Sequence, residues 1–256
     1  MIEVKTPGEL QAMREAGLVV ARTLAAVREQ ARPGVSTAEL DELAEQTIRD
    51  AGAVPSFKGY HGFPASICAS ANEQIVHGIP AKQQVLAEGD LLSVDCGAIL
   101  DGWHGDSAVT LAIGTVSERD RKLSEATERA MWAGIEAVRA GARLTDISHS
   151  VQTAAEHAGR DHGIDYGMIL EYGGHGIGRQ MHMEPFLPNV GKPGKGPRLK
   201  PGMALAVEPM LTGGGGETLE LEDGWTVVTA DGSRAAHWEH TVAITEDGPW
   251  VLTAPG

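Results

Sequence analysis

Leu91-Leu92-Ser93-Val94-Asp95-Cys96-Gly97-Ala98-Ile99-Leu100-Asp101-Gly102-Trp103-His104-Gly105-Asp106 is the stretch on which the fold turns. Leu91 to Leu100 is an apolar run interrupted by one acid, and Asp101-Gly102 is a two-residue hairpin signal. A second apolar run, Trp103 to Ile113, carries another acid at Asp106. An antiparallel hairpin is predicted, with both carboxylates at one edge of a sheet. An unpartnered carboxylate in such a setting is expensive to bury, so each acid requires a cation, a donor network or water.

Upstream of the hairpin, Thr6-Pro7-Gly8-Glu9 and Ser36-Thr37-Ala38-Glu39 both have the form of a capping box. They open helices expected to end near Ala31-Arg32 and Gly52. Val54 to Gly62 reads as loop, and Ser66 to Ser70 as a short apolar segment. Downstream, Ser117 starts a helix over most of Glu118 to Ala140, and Leu144 starts another reaching about Gly159. Gly163 to Met183 reads as a Gly- and His-rich connection, and Pro185 to Pro201 as a loop. Strands are expected near Met203 to Met210, Gly224 to Thr229 and His237 to Thr245, with a flexible turn at Gly213 to Gly216. Residues 1–256 are therefore read as one α+β domain with sheet at its centre and helices outside, its two halves similar in element order.

The later strands repeat the anomaly of the hairpin, with Glu208 and Glu239 set in apolar surroundings. If the halves face each other, four carboxylates converge into a cluster able to hold two divalent cations. Gly173-Gly174-His175-Gly176-Ile177-Gly178 surrounds an imidazole with glycines, which permits close approach of backbone and ligand. His182 and His77 are further candidates. His104, His149, His157 and His162 are assigned to surface helices or loops, His104 with a reservation because it stands near Asp106. His237 and His240 flank Glu239, where they could support it.

Composition narrows the partners. Lys plus Arg number 21 against 35 Asp plus Glu, a formal charge of -14, which does not suit a phosphate-neutralising surface. Neither nucleic-acid nor membrane binding is expected. The two cysteines, Cys68 and Cys96, read as buried thiols in a reducing cytoplasm, and the charged first 20 residues do not resemble a signal peptide.

Val94-Asp95-Cys96-Gly97, Gly105-Asp106-Ser107-Ala108, Gly174-His175-Gly176-Ile177-Gly178, Val207-Glu208-Pro209 and Glu239-His240-Thr241 together resemble the bacterial type I methionine aminopeptidases. Tyr60-His61-Gly62-Phe63-Pro64 and Asp223-Gly224-Trp225-Thr226 extend the likeness over almost the whole chain. The resemblance implies the pita-bread fold, two similar α/β halves around a curved antiparallel sheet. It also implies a dinuclear site of Asp95, Asp106, His175, Glu208 and Glu239 holding two divalent ions, with manganese, iron, cobalt and zinc all open. Metal-activated hydroxide would attack the first peptide carbonyl while Glu208 managed its proton. His182 would stabilise the oxyanion, and His77 would contact the scissile nitrogen.

By the same resemblance Tyr60, Phe63, Cys68, Met181 and Trp225 would line a methionine pocket, and the second substrate residue would have to be small. The implied activity is removal of the initiator methionine from nascent polypeptide N-termini, with access near the ribosomal exit, by a monomer. Three departures stand out. His237 occupies a position often held by Gln and could alter the basicity or metal preference of Glu239. Met181 replaces a common aromatic residue, and Gln74-Ile75-Val76-His77 lacks a thiol before its histidine. Proline dipeptidase or aminopeptidase P activity is the nearest alternative, although those relatives carry an added amino-terminal domain. A metal-free peptide- or ribosome-binding protein is the third.

Overall fold

A computed structural model describes residues 2–255. Its helices start where the caps require. Helix α1, Pro7–Gln30, and helix α2, Thr37–Asp50, both open with reciprocal capping boxes, Thr6 with Glu9 and Ser36 with Glu39. Helix α3, Glu118–Glu136, stops short of Ala140, and helix α4, Leu144–His162, runs past Gly159 to a left-handed Gly163 cap. No helix of the described residues is long and apolar enough to cross a membrane.

The hairpin forms as read. Leu91–Leu100 pairs antiparallel with Trp103–Ala112, and Asp101 and Gly102 both take positive φ in the connecting turn. The Trp103–Ala112 strand then meets Glu239–Thr245, which pairs with Ala204–Val207, then Gly174–Gly176, then Met183–Leu187. One antiparallel sheet thus runs from the first half into the second. The halves are also tied by side chains: Asp106 N–H donates to Thr241 Oγ1, which donates to the Asp106 carbonyl.

Each half has its own apolar core. Helices α1 and α2 contribute Val20, Leu24, Leu40 and Ile48 against Ile67, Leu92 and Val94. Helices α3 and α4 contribute Leu123, Met131, Ile147 and Val151 against Leu205, Val207 and Val242. Trp238 packs on both cores, and its indole N–H donates to Ser124 Oγ at 3.0 Å. The backbone of α1 presses directly on the hairpin: a Cβ at Gly105 would lie 2.8 Å from Gly17 Cα.

Several expectations are corrected. Gly174–Gly176 and Met183–Leu187 are strands rather than connection and loop. A Cβ at Gly174 would collide with the Ala206 carbonyl, and one at Gly176 with that of Glu184, so glycine is what lets this strand sit between close neighbours. The expected Met203 to Met210 strand is two, Ala204–Val207 and Met210–Thr212, separated by Glu208-Pro209. Similarly Ala235–His237 and Glu239–Thr245 are distinct, with Trp238 between them. Val54 to Gly62 contains a short strand, Val54–Pro55, and a 3-10 turn, Tyr60–Gly62. His104 is buried in the Trp103–Ala112 strand, sharing a 2.9 Å hydrogen bond between its Nδ1 and Ser56 Oγ, and is not a surface histidine.

Candidate metal centre and apolar cup

Strand register sets the first two acids. Asp95 stands opposite Ala108 and Asp106 opposite Gly97, so the carboxylates are diagonal neighbours on one face. Glu239 enters the same space from the adjoining strand, opposite Ala108. Glu208 comes from the break after Ala204–Val207, its backbone carbonyl held by Asn189 Nδ2 at 3.1 Å. His175 approaches from the glycine-flanked strand with Nε2 3.4 Å from Glu208 and 3.9 Å from Asp106. Its Nδ1–H donates to the Gly176 carbonyl at 2.9 Å, leaving the Nε2 lone pair facing the acids.

The electrostatics of this cluster call for cations. Burial, reinforced by neighbouring acids, pushes Asp106 and Glu239 well above the usual carboxylate range, and burial also raises Asp95 and Glu208. Burial lowers His175 to about 3, so the imidazole is neutral and fit to coordinate. Asp95 Oδ1, Asp106 Oδ1, Glu239 Oε1 and His237 Nε2 are buried with no hydrogen-bond partner among the described residues. Among the described residues no Lys or Arg pairs with any of the four acids. Asp106, His175 and Glu239 present one close set of donor atoms, and Glu208, His237 and Glu239 a second. Unsatisfied oxygens beside neutral nitrogens are the donor chemistry of divalent metal sites, so these residues fit two such ions.

An apolar cup adjoins the acids because Cys68 stands opposite Asp95 in the pairing of Ile67–Ala71 with Leu91–Leu100. Phe57, Phe63, Cys68 and Met181 form its buried wall, with Tyr60 and Trp225 packed against them. Phe63 meets Trp225 edge-on at 5.1 Å. Gly97 leaves room for this wall, since a Cβ there would lie 2.8 Å from the Phe57 ring. Burial and the Asp95 charge push the Cys68 thiol well up, so it is a neutral apolar surface rather than a nucleophile.

His182 sits on the exposed side of the cluster, its Nδ1 sharing a 2.9 Å hydrogen bond with Tyr60 OH and its ring 4.3 Å from that of His175. His77 lies across the cleft with φ of 60°, a left-handed conformation uncommon outside glycine, between Tyr172 and Trp225. Burial lowers both histidines, His77 to about 4. Every candidate site residue named from the sequence lines this one cleft of about 700 Å³. Sequence reading missed Phe57 and Tyr172, which carry no signal beyond an aromatic ring in an irregular segment. It also associated His237 with Glu239, whereas the nearer carboxylate is Glu208, at 3.5 Å against 3.9 Å.

Comparison with known proteins agrees with this architecture. The profile of Metallopeptidase family M24 matches residues 11–246. Methionine aminopeptidase 1 of Mycobacterium tuberculosis is 58% identical over 253 residues, covering 99% of this chain and 95% of that protein. The crystal structure of methionine aminopeptidase from Thermotoga maritima superposes with a TM-score of 0.96 at 42% identity, covering all of both chains. Xaa-Pro dipeptidase from Bacillus anthracis shares the fold alone, at a TM-score of 0.77 and 23% identity, and this chain covers only 62% of it. The α+β arrangement of two halves about a shared antiparallel sheet is the pita-bread fold, and the chain belongs to metallopeptidase family M24.

Proposed function

We propose that this chain removes the N-terminal methionine from new polypeptides whose second residue is small. The carrying observation is the pairing of Cys68 with Asp95, which sets an apolar cup directly against a cluster of acids suited to two cations. A thioether side chain buried in that cup gains about 1.5–3 kcal/mol, and the adjoining negative charge suits a free amino terminus. Full-length similarity to proteins named methionine aminopeptidase supports this reading over the proline-directed one.

Asp95, Asp106, His175, Glu208 and Glu239 would hold the ions. When bound, divalent cations polarise a carbonyl and lower the proton affinity of water. Glu208, beside the cleft and within reach of both His175 and His237, takes and returns a proton at its carboxylate. His182 faces solvent and the substrate side, where its ring can donate to the developing oxyanion while Tyr60 holds Nδ1. His77, fixed by its backbone and flanked by Tyr172 and Trp225, meets the scissile nitrogen. Phe57, Phe63 and Met181 keep water from the cup.

The natural substrates in this reading are nascent N-termini close to the ribosomal exit, met in the cytoplasm by a monomer comprising one catalytic domain. The two free buried cysteines suit that reducing compartment. The test is cleavage of matched Met-Ala, Met-Leu and Ala-Pro peptides by metal-depleted protein, with manganese, iron, cobalt or zinc restored separately. Release of methionine from Met-Ala alone is expected, and efficient Ala-Pro cleavage without methionine release would overturn the proposal.

A further inference from the structure

The basic residues of this acidic chain are not evenly spread. Six of the 21, Arg139, Arg143, Lys192, Lys195, Arg198 and Lys200, fall in residues 139–143 and 188–200, two segments that hold no acid. The first joins α3 to α4, and the second runs from Met183–Leu187 towards Ala204–Val207. Backbone hydrogen bonds lock the two segments together. Gly141 N–H donates to the Leu199 carbonyl at 2.9 Å, Leu199 N–H to that of Ala142 at 2.8 Å, and Leu144 N–H to that of Pro197 at 3.0 Å. Leu144 and Leu199 are buried in the core under α3 and α4, whereas Arg139, Lys192, Lys195, Arg198 and Lys200 are exposed.

Arg143 and Arg198 stand directly opposite each other in this antiparallel seam, so their side chains leave from one face. Each guanidinium donates across the seam, Arg143 Nη1 to the Gly196 carbonyl and Arg198 Nη1 to the Gly141 carbonyl, both at 2.9 Å. Like charges so placed repel. Among the described residues no acid offsets them, since none of the six basic side chains forms an ion pair. Asp146, in the first turn of α4, instead accepts from the backbone N–H groups of Arg143 and Gly194, both at 2.7 Å. Two anchored guanidiniums with N–H groups to spare, flanked by free ammonium groups, match phosphate oxygens.

We propose that this seam is a docking surface for the phosphate backbone of a folded RNA. An acidic protein partner would call for an apolar centre to the interface, and none of the exposed large apolar side chains lies in either segment. An anionic bilayer is broad and would also face the rest of a surface whose formal charge totals -14 with the patch included. A single phosphate strand can touch the seam alone. Net charge sums over the whole surface and so conceals a patch of opposite sign. Contact through phosphate is independent of base sequence. The surface shares no residue with the metal cluster or the cup, so its test is separate from that of the cleft.

Fluorescence anisotropy measures binding of the untagged full chain to a labelled RNA hairpin of arbitrary sequence between about 50 and 200 mM KCl. A slope of log affinity against log salt of about -3 to -5 is expected, as for about four to six phosphate contacts. Lys192→Gln/Lys195→Gln replaces two exposed lysines outside the arginine pair, and near-ultraviolet circular dichroism checks its fold. The double variant should reduce the slope by about 1.5 and weaken binding about 10-fold or more at the lower salt. Phosphatidylglycerol vesicles and polyglutamate should not bind at the same salt. Absence of RNA binding, RNA binding unchanged in the folded variant, or equal binding to vesicles or polyglutamate would overturn the proposal.

Discussion

Asp95 and Asp106 lie diagonally across the Leu91–Ala112 hairpin, one opposite Ala108 and the other opposite Gly97, with no Lys or Arg pairing with either among the described residues. Two like charges held in a dry site repel, so metal-free protein stores an electrostatic penalty that bound cations remove.

Stability should therefore depend on pH in a characteristic way. Burial raises Asp95 to about 6, Glu208 to about 8, and Asp106 and Glu239 well above the ordinary carboxylate range. A raised carboxyl stabilises the fold below its unfolded pKa, and that contribution is lost as pH rises through the folded value. His77, His104, His175 and His240, lowered to about 4, 4, 3 and 4, act oppositely, their contribution growing as pH rises towards 6.5 and then complete. Above about pH 6.5 the acids alone govern this part of the slope. Calorimetry should show the Tm of metal-free protein falling between about pH 7 and 8.5, and saturating divalent ion flattening that fall. A pH-independent Tm in the metal-free protein would contradict the buried cluster.

His182 and His77 stand apart from the acids that would hold metal, so their loss should affect turnover and not metal content. His182→Ala is expected to lower kcat by about 100-fold or more, and His77→Ala by about 100-fold, with unchanged ion stoichiometry. Steady-state kinetics paired with elemental analysis separates the two effects. Loss of metal in either variant would show that these histidines belong to the ion site.

Trp225 is half-buried and meets Phe63 and His77 edge-on, so its removal opens the cup at little structural cost. Trp225→Ala should raise KM for methionyl peptides by about 10-fold or more, with a smaller change in kcat. It should also narrow the preference for methionine over leucine at the first position. An unchanged KM would place the methionine side chain elsewhere.

Gly105 marks where α1 touches the hairpin, with Gly17 as its counterpart. Gly105→Ala forces these backbones apart and should destabilise the protein by about 1–3 kcal/mol. Because Asp106 is the next residue, metal affinity should fall with stability. Chemical denaturation with and without metal measures both, and a neutral substitution would contradict the close approach.

Much of this was legible in particular residues. Both capping boxes, the Asp101-Gly102 turn and the hairpin acids Asp95 and Asp106 depend on local chemistry and appear where read, whereas Glu208 falls in the break between two strands. Gly174–Gly176 was not legible as strand, since glycine is a poor strand former and its reason here is non-local crowding by Ala206 and Glu184. The burial of His104 was equally hidden, because it depends on Ser56, distant in sequence. The ligand roles came by resemblance, while the place of His237 against Glu208 emerges only when the strands are assembled.

The proposed function places a two-ion site and an apolar methionine pocket in one cleft. Its most direct test is a crystal structure of manganese-loaded protein with L-methionine, using anomalous scattering to locate the ions. Two anomalous peaks among Asp95, Asp106, His175, Glu208 and Glu239, with the thioether against Phe63, Cys68 and Trp225, are predicted. Absence of metal from the acids, or methionine bound away from the cup, would contradict it.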